Sequence, residues 1–216
     1  MKNSILSLSS ALIFFFCFCS SPPQSTIQFD YQSAEAMLEV IQAIHDKAGI
    51  ETVEKLLDNA LQMEAYQITE ERYTNPNRSK KDQVTLPEYK MFILSFLEDS
   101  VDTQGNRRLG LQKDLYRDAV KNPQKYAEAL KRIKTIKDSQ IQEVLDIALY
   151  WLPEGIEVHT SAIVLFDMGG GGWEYKTKDG RHHTAFNILV LLDENGTFDQ
   201  DIFLGTLAHE LHHVGI

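Results

Sequence analysis

The chain has 216 residues, 43% of them hydrophobic and 24% charged, with a net charge of −10 at neutral pH. That make-up fits one globular domain, or a helical region joined to part of another. The acidic balance excludes a nucleic-acid binder, which needs a basic face to neutralise phosphate, and both cysteines, Cys17 and Cys19, lie near the start.

Lys2 and the apolar stretch from Ile5 to Cys19 read as an export signal over residues 1–19. Roughly 15 apolar residues fall short of the ~20 that a membrane-spanning helix needs. Cys19, followed by Ser20-Ser21-Pro22-Pro23, resembles the lipid-bearing cysteine of a bacterial lipoprotein, with residues 20–28 as a tether. Phe16 and Phe18 stand where such signals usually carry Leu and a small residue. The expectation is an exported protein that meets a membrane only through lipid on Cys19, or a free periplasmic or secreted one if Cys19 is unmodified.

Residues 29–152 read as helical. Ala36, Met37, Val40, Ile41 and Ile44 recur at helical spacing behind Ser33 as a cap. Gly49 punctuates the pattern, and Val53, Leu56, Leu57, Ala60 and Leu61 continue it. Residues 70–82, with Asn75-Pro76-Asn77, read as a loop, and Pro87 opens the next helix. Two or three helical segments follow, over 111–120, 123–136 and 138–152.

After Pro153 the apolar period changes from 3.6 to 2. Residues 156–166 read as a strand, Gly169 to Gly172 as a loop, and Trp173 to Tyr175 as a short strand. No Gly-Lys-Ser/Thr follows the glycines, so they are not a phosphate loop. Lys178 to Arg181 form a turn that leaves the doublet His182-His183 exposed beside it. Residues 185–192, apolar on both faces, read as an interior strand, and Thr197 with Gln200 as a capping box for the last helix. The fold class expected is α+β: a helical N-terminal region over 29–152, then a small mixed or antiparallel sheet and one final helix within 153–216.

That helix carries His209-Glu210-Leu211-His212-His213. Residues four apart on a helix share one face, ~5–6 Å apart at Cβ, so His209 and His213 can converge on one Zn²⁺ at ~2.0–2.1 Å. Glu210 is offset around the helix, where it can serve as the catalytic base toward water without occupying the metal. Phe203, Leu204, Leu207, Leu211 and Val214 share the side away from the two outer histidines. Chance placement of the 7 histidines and 16 glutamates yields such a string in about 2% of chains. His212 points away from the pair and reads as a surface or supporting residue. His159, His182 and His183 are the upstream histidines nearest in order.

The order of sheet, glycine loop, apolar strand and His-Glu-x-x-His helix resembles the zincin metallopeptidases. Within them the chain is similar to exported bacterial zinc-dependent peptidases that share Phe-Asp-Tyr-x-Ser-Ala, here Phe29 to Ala34, and His-Glu-x-His-His-x-Gly, here His209 to Gly215. The resemblance implies a zincin-like fold, Zn²⁺ as cofactor, peptide or protein substrates, His209 and His213 as ligands and Glu210 as the base. In zincins the strand before the active helix lines the substrate cleft, so the resemblance makes His159, His182 and His183 each only a minor candidate ligand. A zincin needs a third protein ligand, and Ile216 stands where one branch of the clan has glycine. The expectation is therefore a fragment whose third ligand lies beyond residue 216. The alternative is a non-catalytic exported binding protein with a degenerate metal site.

Overall fold

The computed structural model describes residues 25–98, 101–103 and 105–215. The export segment with Cys19, residues 20–24 of the tether and Ile216 lie outside these. The first element is strand β1 (Thr26–Asp30). Seven helices follow: α1 (Gln32–His45), α2 (Ile50–Leu61), α3 (Glu64–Tyr73), α4 (Leu86–Leu94), α5 (Arg107–Lys121), α6 (Pro123–Lys134) and α7 (Asp138–Tyr150). Strands β2 (His159–Leu165), β3 (Gly172–Lys176) and β4 (His182–Asn187) precede the last helix, α8 (Gln200–Val214). The architecture is α+β, as the sequence implies.

The tether read over 20–28 gives way at Thr26, because β1 is an edge strand of the sheet. The strand order is β1-β2-β4-β3, with β1, β2 and β4 parallel and β3 antiparallel. A parallel pair requires a long crossover, and here helices α1 to α7 all lie in the connection from β1 to β2. The helical region is thus joined to the same sheet as residues 153–216.

Local chemistry moves several boundaries from their expected places. Tyr31, not Ser33, precedes α1, and the Asp30 carboxylate accepts the Gln32 N–H at 2.8 Å. Ser33 is buried instead. Helix α3 runs into the predicted loop and stops at Tyr73. Thr85 and Glu88 form a reciprocal cap ahead of Pro87, and the Asn106 side chain caps α5 four residues before the predicted start at Leu111. Strand β4 begins at His182 and ends at Asn187, whose side-chain oxygen accepts the Leu189 N–H at 3.1 Å and turns the chain into a 3-10 segment.

The two faces of the sheet do different work. Pairing places Phe29, Ala162, Val164, Thr184, Phe186, Gly172 and Glu174 on one face. Phe203 of α8 packs there, its ring 5.0 Å from Phe186 and 6.3 Å from Phe29. Past the end of β2, tyrosines reach the carbonyls that the strand leaves unpaired. Tyr66 and Tyr89 donate to Phe166 O at 3.3 and 2.9 Å, and Tyr116 donates to Asp167 O at 3.2 Å. Tyr89 and Tyr116 also bond each other, so one of their two protons is shared between two acceptors. Burial raises all three hydroxyl pKa values, so they stay neutral donors. Satisfying buried carbonyls this way fixes the segment leading into the glycine loop.

Candidate metal centre

Helix α8 starts at Asp199, whose carboxylate accepts the Ile202 N–H at 2.9 Å. Thr197 is not the cap expected from the sequence; its backbone belongs to the preceding turn, bonded to Asp193. Phe203, Leu207 and Leu211 are buried and fix the rotation of the helix, and His209 and His213 are exposed on its opposite side. Their Nε2 atoms lie 3.1 Å apart, with the rings edge-on at 85°.

Two nitrogens each ~2.0–2.1 Å from a tetrahedral zinc are separated by about 3.3 Å. The histidine pair therefore fits two corners of such a site. Among the described residues no group of three His, Cys, Asp or Glu side chains converges to complete it.

Glu210 lies at a different depth from its neighbours in the motif, only 7% exposed. It faces the first residue of β3. A Cβ on Gly172 would stand 3.2 Å from Glu210 Oε1 and 2.6 Å from Thr206 Cγ2, so this position has no room for a side chain while α8 lies where it does. The carboxylate accepts no hydrogen bond from the described residues. Burial raises its pKa, and the positive fields of His209, His213 and Arg72 pull it back. Glu210 is thus a buried carboxylate on the same helix as the exposed imidazole pair, within reach of their fields. That is the arrangement a general base needs.

The remaining histidines divide by strand parity. His182 shares the α8 face with Glu174, and its Nδ1 lies 2.8 Å from Glu174 Oε1. His183 points the other way and is 4% exposed, with both ring nitrogens unpartnered. Burial, then the Arg181 charge, lowers its pKa. The expectation of an exposed doublet is corrected for His183, because β4 starts one residue before it. His159, at the start of β2, bonds Thr26 and Glu157, each at 3.0 Å. His212 is half-buried with an unpartnered Nδ1.

The glycine loop is a built feature. Asn187 bonds Gly171 O through its backbone at 2.9 Å and Gly170 O through its side chain at 3.0 Å. Tyr73 donates to Gly169 O at 2.8 Å and to Asp167 Oδ2 at 2.9 Å. Asp167 is fully buried and also accepts from Trp173 Nε1 and Met168 N–H, at 2.8 and 2.7 Å. Sequence reading places Thr206 on the histidine face one turn before His209 but misses Gly172, Glu174 and Arg72 around Glu210; the alternation of β3 is the only local signal for Glu174.

A protein-family model described as "Putative zinc dependent peptidase (DUF5700)" matches residues 57–216, most of the chain. The chain belongs to this family. The matched span opens within α2 and includes β2 to β4 and the whole of α8, so the histidine pair, Glu210 and Gly172 all fall inside it. No curated protein and no solved structure matches the chain.

Proposed function

We propose that this family member is a zinc-dependent peptidase in which His209 and His213 hold the metal and Glu210 is the general base. The observation that carries the reading is the approach of the two Nε2 atoms to 3.1 Å, with a buried carboxylate next to them on the same helix. A zinc ion held there would polarise the scissile carbonyl and make water more acidic. Glu210 takes the proton of the attacking water on a carboxylate oxygen and passes it to the leaving amine. Gly172 and Thr206 fix where that oxygen sits. Strand β3 has β4 on one side and no strand on the other among the described residues, an edge on which an extended peptide can add.

Zinc binding tests the metal half of this reading. Competition against a chromogenic chelator should show His209→Ala and His213→Ala each weakening zinc by about a hundredfold or more, since even supporting residues cost 10–100-fold. A double variant that binds zinc as tightly as the parent sinks the assignment.

Export and lipid attachment at Cys19 belong to the same proposal. No helix among the described residues is long and apolar enough to cross a membrane. With lipid on Cys19 as the anchor, Cys19→Ser should move the full chain from the membrane fraction to the soluble exported fraction. Unchanged membrane retention would exclude the lipid anchor.

A further inference from the structure

Three arginines crowd one tyrosine ring beside the glycine loop. The Cζ atoms of Arg72, Arg78 and Arg108 lie 5.0, 5.3 and 4.5 Å from the Tyr73 ring centroid. Each is within 5.3 Å of one point, so no two are further apart than twice that, close to the Debye length of about 8–10 Å. Arg72 also stacks on Trp173, 4.9 Å from its ring. All three are half-buried.

Attraction to an aromatic face accounts for one or two of these cations, because a ring has two faces. It leaves the mutual repulsion of three charges in place. Other arginines in this chain meet carboxylates: Arg107 forks onto Asp82 with both bonds at 2.7 Å, and Arg181 meets Glu64 and Asp179. Among the described residues no ion pair engages Arg72, Arg78 or Arg108. The nearby carboxylates are already engaged: Asp167 accepts from Tyr73, Trp173 and Met168, and Asp82, whose field also reaches Arg78 and Arg108, is forked by Arg107. The Nε groups of Arg78 and Arg108 donate to Arg72 O and Asp82 O at 3.1 and 3.2 Å. That orients two guanidinium forks and leaves their terminal N–H groups without an acceptor among the described residues. Partial burial, then the Arg72 and Arg108 charges, lowers the Arg78 pKa. Unpaired planar forks of this kind match the two oxygens of a carboxylate.

The position of the cluster gives it a role. A Cβ on Gly169 would collide with the Arg108 guanidinium, and one on Gly172 would press on Glu210. The loop therefore runs from Arg108 to the proposed base in three residues, a Cα span of at most about 10–11 Å. Trp173, on which Arg72 stacks, is the next residue.

We propose that Arg72, Arg78 and Arg108 form a carboxylate-recognition site flanking Glu210, and that peptides taken by this chain carry an acidic side chain or a free C-terminal carboxylate within about three residues of the bond attacked. The recognition site stands on its own; the placement of the scissile bond rests on the peptidase reading above.

The test is calorimetric binding to the full chain carrying Glu210→Gln, so that no peptide is consumed. The probes are short N-acetylated peptides otherwise free of charged groups: one with a free C-terminus, its amide, an amide containing one Glu, and the same amide with Gln. At low salt, the free-acid peptide, the Glu peptide or both should bind at least about tenfold tighter than the uncharged pair, the scale of a charge-assisted hydrogen bond. Which of them does identifies the source of the carboxylate. The preference should collapse in Arg72→Gln and Arg108→Gln and survive in part in Arg108→Lys. Equal binding of all four peptides overturns the proposal without requiring any arginine variant to fold. Inorganic phosphate binding at the arginines while neither acidic peptide binds also overturns it. An otherwise unaltered chain that discriminates the peptides yet cuts none keeps this site and removes the peptidase reading. One that cuts all four at equal rates does the reverse.

Discussion

Glu210→Gln should lower peptide hydrolysis by about a hundred- to ten-thousand-fold, the usual contribution of a positioned general base, and leave zinc affinity little changed. Glutamine has nearly the same shape, so the contact with Gly172 and the packing of α8 persist. What disappears is an oxygen able to take and return a proton. Glu210 is suited to that role because it is buried, accepts no hydrogen bond from the described residues and sits beside, not between, His209 and His213. The variant therefore separates metal binding from proton transfer. Steady-state cleavage of a fluorogenic peptide together with zinc titration reads both. If the Gln chain cuts at the parent rate, proton transfer is assigned to the wrong residue. If it loses zinc as well, Glu210 acts on the metal and not on water.

The parts of this molecule legible in the sequence are those fixed by neighbours a few residues away. Helix α8 follows from Phe203, Leu207 and Leu211, and the histidine pair from spacing alone. The switch from helices to strands after Pro153 follows from the change of period. What escaped depends on partners far along the chain. Strand β1 has a plain alternation, with Ile27 and Phe29 on one face, but its hydrogen-bonding partner is His159 to Ile163, and nothing local announces it. The depth of Glu210 is set by a glycine in β3, and the helical wheel places it only between the two faces. The glycine run reads as a loop because its residues are permissive. Its last member is in fact a strand residue that α8 presses against. Arg72, Arg78 and Arg108 come from two helices and a loop, so no window of sequence contains the cluster.

The anchor of that loop supplies the largest expected loss of stability. Asp167→Ala should cost about 2–6 kcal/mol, because two buried donors are left without an acceptor, out of a typical total of ~5–15 kcal/mol. Trp173 Nε1 and Met168 N–H would lose their acceptor, at about 1–3 kcal/mol each, whereas Tyr73 would keep Gly169 O. For a chain of this size the melting temperature should fall by roughly 10 °C. Asp167→Asn should cost less, since one amide oxygen can serve either Met168 or the Trp173–Tyr73 pair but not both. Burial holds the Asp167 pKa above its ordinary value of 3.8. The stability it contributes is thus fully present below that value and declines as pH rises through the raised pKa. The penalty of Asp167→Asn should accordingly be greatest in acid and shrink toward neutrality. Asp82, Asp179 and Asp193 have lowered pKa values, and their contributions fade in the opposite direction, as pH falls. Because they are common to parent and variant, the difference between paired denaturant melts isolates Asp167. A variant that melts with the parent at every pH would mean that the tyrosines alone hold the segment. A stability loss with cleavage retained would mean that Gly172 and Glu210 keep their register without this anchor.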